Sequence, residues 1–167
     1  MTLLGLKRRI WLFAVNHIYV GTKKFEQKRK LLIKLGHEIG QGTKVVGPVY
    51  CTGKLTIGND CWIGKNFFVN GNGTVTIGNN CDIAPEVMFQ TGGHEIGPDK
   101  RRAGKGITFH TFVGNGCWIG ARSTILGGVH IEDSCVVAAC ACVCKDIEKN
   151  SLVGGVPAKV IRKLEEC

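Results

Sequence analysis

The sequence predicts an all-β fold, a parallel β-helix, preceded by a short helical arm and followed by a short C-terminal helix. Three observations lead there. First, aliphatic residues recur every six positions. One series runs Ile39, Val45, Cys51, Ile57, Ile63, Val69, and after a two-residue slip at Asn72-Gly73 it resumes with Ile77, Ile83, Phe89. After a further gap of 18 it continues as Ile107, Val113, Ile119, Ile125, Ile131, Val137, Val143. Second, the fifth position of each hexad is small: Thr43, Val49, Cys61, Cys81, Val87, Thr111, Cys117, Ser123, Val129, Cys135 and Ala141. Third, Gly follows the aliphatic residue at 40, 58, 64, 78, 114 and 120. Six fits neither a 3.6-residue helix nor a simple alternating strand. It is the period of short strands and tight turns stacked coil on coil.

Residues 1–37 carry no hexad. Leu3, Leu4, Leu6, Ile10, Trp11, Phe13 and Ala14 suit an amphipathic helix beside Lys7, Arg8 and Arg9, and Lys28 to Leu35 suits a second one. This arm holds nine Lys/Arg and the single acid Glu26, so it carries +8 of the chain's net +9. Such a concentration speaks against a generally basic nucleic-acid-binding domain and for a local device. The arm can cap the open end of the β-helix, lie against a membrane surface, or do both. Residues 38–152 form the β-helix, interrupted at 90–106 by QTGGHEIGPDKRRAGKG, a loop rich in Gly and charge. Loops of that length on a rigid scaffold are commonly functional. Residues 153–167 make the tail, with Pro157 at the start of the expected final helix and Lys159, Arg162 and Lys163 on it.

The chain has 167 residues and is 44% hydrophobic, enough for one packed domain and incompatible with a wholly disordered tail. Its longest apolar run, residues 10–20, is 11 long and contains Asn16 and His17. That is too short for a membrane span, and no A-x-A-like cleavage site follows it. Nine cysteines, none in a C-x-x-C, read as reduced thiols in a cytoplasmic protein, with Cys61, Cys81, Cys117 and Cys135 as core filler.

Among the histidines, His94 opens the 90–106 loop, whereas His110 and His130 fall at outward hexad positions. An imidazole there can act as a general base near neutral pH. The hexad [Ile/Val]-Gly-x-x-[small]-x resembles the left-handed β-helix acyltransferases. Ala84-Pro85, His94, Cys117-Trp118-Ile119-Gly120, Lys145-Asp146 and Gly155-Val156-Pro157-Ala158 are similar to motifs of their sugar and polysaccharide O-acetyltransferases, the maltose and galactoside acetyltransferase-like superfamily. The likeness covers residues 38–165. It implies three hexads per 18-residue coil, acetyl-CoA as acyl donor, no metal, and a homotrimer with active sites between subunits. It also implies His94 as general base, the Ala121 backbone as oxyanion donor, and Trp118, Ala121, Ala139, Cys144, Lys145, Lys159 and Arg162 as CoA contacts. Asn70 matches an acceptor-contacting asparagine; as part of Asn70-Gly71 it equally suits a tight turn. Trp62 repeats the Cys-Trp-Ile-Gly pattern in an earlier coil, which leaves a structural role open for Trp118.

The expected reaction is acetyl transfer to a hydroxyl of a cell-surface polysaccharide or its lipid-linked sugar precursor, at the cytoplasmic membrane face. The coil after Asn70 is shorter than in the small-sugar enzymes and lacks their acidic loop, which argues against a free sugar as acceptor. N-acetylation of a nucleotide-linked amino sugar, or antibiotic acetylation, keeps the class and changes the acceptor. A zinc hydratase built on His94, His110 and His130, or a non-catalytic β-helix, would change the class. Ala138-Ala139-Cys140-Ala141 departs from the Gly-Ala-Gly-Ser frequent in relatives, and Cys140, Cys142 and Cys144 crowd one segment.

Overall fold

A computed structural model describes residues 3–165. The hexads build a left-handed parallel β-helix of triangular section, with three sheets as its faces. The first face stacks Glu38–Ile39, Lys54–Ile57, Thr74–Ile77, His110–Val113 and His130–Ile131. The second stacks Lys44–Val45, Trp62–Ile63, Asp82–Ile83, Trp118–Ile119, Val136–Val137 and Ser151–Gly154. The third stacks Val49–Cys51, Phe67–Asn70, Met88–Gln90, Thr124–Leu126 and Cys142–Val143. Each periodic aliphatic pairs with its counterpart in the next coil: Ile57 with Ile77, Ile77 with Val113, Val113 with Ile131.

One corner turn shows how the coils keep register. Its side-chain amide or carboxylate oxygen accepts a backbone N–H from the coil before: Asn59 from Gln41, Asn79 from Asn59, Asn115 from Asn79, and Asp133 from Asn115, at 2.7, 2.8, 2.9 and 2.6 Å. The sequence separations are 18, 20, 36 and 18. The 20 contains the slip at Asn72-Gly73, and the 36 contains one coil plus an 18-residue excursion. The next turn residue is left-handed each time (Asp60, Asn80, Gly116, Ser134), a conformation that short polar residues and glycine tolerate best.

Inside the prism the periodic ladder, apart from the half-buried Cys51 and Ile107, and all eleven fifth-position residues are buried. Thr43 Oγ1 donates to the Gly58 carbonyl, and Cys61, Cys81, Cys117 and Cys135 donate through Sγ to the carbonyls of Gly78, Gly114, Glu132 and Glu148. This rung therefore takes a small side chain with a donor, Thr in the first coil and Cys in the four that follow. The eight described cysteines are all free thiols.

The excursion is an antiparallel hairpin, Gly92–Ile96 against Ala103–Thr108. Ile107 belongs to it, opposite Gly93, and so leaves the periodic set although its spacing fits. At the hairpin root Phe109 lies against Gly127, where an added Cβ would overlap its ring.

The arm forms a helix α1, Leu3–Phe13, a π-helical turn Ala14–Ile18, and a second helix α2, Phe25–Lys34. Val15, Leu32 and Leu35 join the core, and Asn16 exchanges two 3.0 Å hydrogen bonds with the Val49 backbone. Lys28 is fully buried and donates to the carbonyls of Gly21 and Val46. The π-turn and α2 thus close the open end of the prism.

The tail corrects the expected C-terminal helix. Lys159–Lys163 is a strand that returns antiparallel along Ser151–Gly154. The last strand of the second face would otherwise end the sheet with unpaired backbone groups, and the return strand satisfies them. Val160 and Ile161 are β-branched and favour that pairing over a helix. Gly155, at φ +97°, makes the turn, and Lys163 pairs with Glu148 at 2.9 Å.

Candidate active site

His94 sits on the first strand of the hairpin, opposite Gly106, with its ring exposed. Its Nδ1 lies 2.9 Å from the Gly104 carbonyl. A carbonyl only accepts, so Nδ1 carries the proton and Nε2 keeps its lone pair free. That is the tautomer a general base needs. Gly104 was not among the residues expected from sequence. Its role lies in a backbone oxygen, which residue identity does not reveal. Gly92, Gly104 and Gly106 leave the strands beside His94 without side chains, and a Cβ on Gly106 would meet nothing within 4 Å.

Asn70 stands at the same edge of the prism, between the third and first faces. Its carbonyl accepts the Thr91 N–H at 2.7 Å and the Thr91 hydroxyl at 3.0 Å, where the hairpin leaves the stack. Cys144 and Lys145 occur at this edge too, below the hairpin. They line a cavity of about 450 Å³ at the C-terminal end of the prism, together with Asp146, Pro157, Ala158 and Lys159. Arg162 is exposed on the return strand, opposite Leu152, outside that cavity.

Trp118, Ala121 and Ala139 belong to the second face and the edge between the second and third faces. Trp118 is 57% exposed. Its earlier counterpart, Trp62, is half-buried against the Phe25 ring of α2. Both copies of Cys-Trp-Ile-Gly line one open depression, with Asp82, Ala84 and Pro85 between the two tryptophans, and they differ in that Trp62 also packs on the arm. At this edge the chain turns through a left-handed residue in each coil: Asn66, Glu86, Arg122 and Cys140. Cys140 is thus a turn residue, Cys142 faces outward opposite Thr124, and Cys144 is exposed beyond the strand. The crowding of these cysteines in sequence does not carry into space as a cluster. The Arg122 N–H is taken by the Pro85 carbonyl and the Cys140 N–H by the Ala121 carbonyl. The Ala121 and Ala139 N–H groups take no part in this ladder, and Pro85, one coil before Ala121, has no N–H to offer.

His110 and His130 are engaged elsewhere. His110 Nδ1 bonds the Thr74 hydroxyl, and the His130 ring lies against Phe112, both on the first face. Among the described residues no group of three His, Cys, Asp or Glu side chains converges as a metal site. No described helix is long and apolar enough to cross a membrane.

Residues 110–145 match the family model for bacterial transferase hexapeptide (six repeats), and 54–84 match that for the hexapeptide repeat of succinyl-transferase. Galactoside O-acetyltransferase of Escherichia coli is 33% identical, over 96% of this chain and 79% of its own length. A hexapeptide-repeat acetyltransferase of Vibrio cholerae, solved with acetyl-coenzyme A, superposes with a TM-score of 0.81 at 28% identity, covering 98% of this chain and 88% of that one. A galactoside acetyltransferase solved with coenzyme A gives 0.69 at 30% identity, over 97% and 81%.

Proposed function

Since this chain belongs to the hexapeptide-repeat acetyltransferases of the galactoside O-acetyltransferase type, we propose that it moves acetyl from acetyl-CoA to a hydroxyl of a cell-surface polysaccharide or its lipid-linked sugar precursor. His94 Nε2 takes the proton of the acceptor hydroxyl, and the oxygen attacks the thioester carbonyl. The Ala121 N–H donates to the oxyanion of the tetrahedral intermediate. Collapse breaks the carbon–sulfur bond, and the departing CoA thiolate recovers the proton from the His94 imidazolium. The protein supplies the aligned groove, which accounts for much of the acceleration.

The observation that carries this reading is the bond from His94 Nδ1 to the Gly104 carbonyl, because it presets a free Nε2 on an exposed ring. The CoA contacts are Trp118, Ala121, Ala139, Cys144, Lys145, Lys159 and Arg162, with the cations toward the phosphates; Asn70, at the root of the hairpin, contacts the acceptor. His94 and Ala121 belong to different edges of one prism. That separation favours a homotrimer in which the hairpin of one subunit faces the second-face edge of its neighbour. The acidic lining of small-sugar sites is missing after Asn70, and the cationic arm suits a cytoplasmic protein working at the membrane face, so the acceptor is a polymer or a lipid-linked unit.

His94→Ala should lower kcat by ~10²–10⁴ while calorimetric CoA binding is retained. Near-normal acetyl transfer by this variant would overturn the mechanism. A panel of glycans, amino sugars and antibiotics with labelled acetyl-CoA separates O- from N-acetylation.

A further inference from the structure

The arm divides into two halves with different surroundings. The π-turn and α2 are packed on the prism. α1 packs on α2 and the π-turn: Val15, just beyond its end, is fully buried, and Trp11 is half-buried beneath the Lys34 ammonium of α2. The other side of α1 carries Leu6, Ile10 and Phe13 at the i, i+4, i+7 spacing of a single helix stripe. They are 41, 56 and 57% exposed. Lys7, Arg8 and Arg9 are exposed on the same helix, and α1 contains no acid.

We infer that α1 docks the protein on an anionic membrane surface, with Leu6, Ile10 and Phe13 entering the acyl boundary and the α1 cations meeting lipid phosphates. Charge selects this occupant. α1 carries three cations and no acid, so two copies of this face would bring like charge against like charge. An anionic bilayer offers both an apolar layer and the opposite sign. The inference stands on α1 alone and is independent of which acceptor the enzyme acetylates.

The test is co-sedimentation of the full chain with vesicles of phosphatidylglycerol and phosphatidylcholine, against phosphatidylcholine alone. The wild type should bind the anionic vesicles and lose binding as salt is raised. Lys7→Gln/Arg8→Gln/Arg9→Gln should weaken binding by about 100-fold, since each cation near the surface is worth about fivefold. Leu6→Gln/Ile10→Gln/Phe13→Gln keeps the charge and should weaken it by at least about tenfold. Melting curves and sedimentation of each variant check that fold and assembly persist. Absence of wild-type binding, or unchanged binding by the apolar variant, would overturn the inference. A change of oligomeric state in the apolar variant would overturn it too, because the stripe would then be a contact between subunits.

Discussion

Lys28 and His94 show how differently one chain can treat a titratable group. The His94 ring is exposed and fixed by one backbone carbonyl, so its free nitrogen stays available. The Lys28 ammonium has no exposed surface and satisfies its donors on Gly21 and Val46, with the Phe25 ring 4.7 Å away. Burial pushes the Lys28 amine down to about 8 from 10.5. Below pH 8 the amine is charged whether the chain is folded or not, and the full burial penalty weighs on the fold. Between about 8 and 10.5 the unfolded chain holds more protons than the folded one, so this residue's contribution improves as pH rises. The melting temperature of wild type relative to Lys28→Met should therefore climb by a few degrees between pH 8 and 10. Curves that run parallel over that range would refute the assignment.

At the scale of elements, stability comes from ladders. Asn79→Ala removes the acceptor of the Asn59 N–H and a donor to Asn115 Oδ1, and should cost about 1–2 kcal/mol in denaturant unfolding. Cys81→Ser should stay within about 1 kcal/mol, because a hydroxyl can still reach the Gly114 carbonyl as Thr43 reaches that of Gly58. A loss of several kcal/mol for Cys81→Ser would show that sulfur packing, rather than the donor, governs the rung. The aliphatic and small-residue ladders were legible in the sequence because each repeats every six residues. The turn ladder at Gln41, Asn59, Asn79, Asn115 and Asp133 was not read there, because it recurs once per coil and the slip and the excursion stretch its separations to 20 and 36. What else was not legible depended on a partner outside the period. Ile107 sits in the right register by count, yet its backbone pairs with Gly93 within the hairpin. The cations after Pro157 suggested a helix face, and the open edge of the second sheet took the segment as a strand instead. The hairpin's place at His94 was readable from its composition, whereas the Gly104 carbonyl that orients the ring was not.

At the scale of the molecule, one subunit holds the proposed base and the proposed oxyanion donor on different edges. The His94 hairpin projects from the edge between the third and first faces, and Ile96 near its tip is 89% exposed. Trp118 and the Ala121 N–H lie at the edge between the second and third. A prism has no motion that brings two of its edges together, so the proposed pairing of His94 with the Ala121 N–H requires a subunit boundary, as in a closed ring of three. Two inactive proteins should then rescue each other. Ala121→Pro deletes the oxyanion donor at a position where the preceding coil already carries Pro85, so the fold accommodates it, and kcat should fall by ~10²–10³. His94→Ala deletes the base on the opposite edge. Unfolded, mixed in equal amounts and refolded together, the two variants should form trimers in which about a quarter of the sites combine an intact His94 with an intact Ala121 N–H from the neighbour. Acetyl transfer should therefore return to about a quarter of the wild-type rate while each variant refolded alone stays inactive. Mixed trimers that remain inactive would show that both groups act within one chain, and a monomer in sedimentation would remove the shared site altogether.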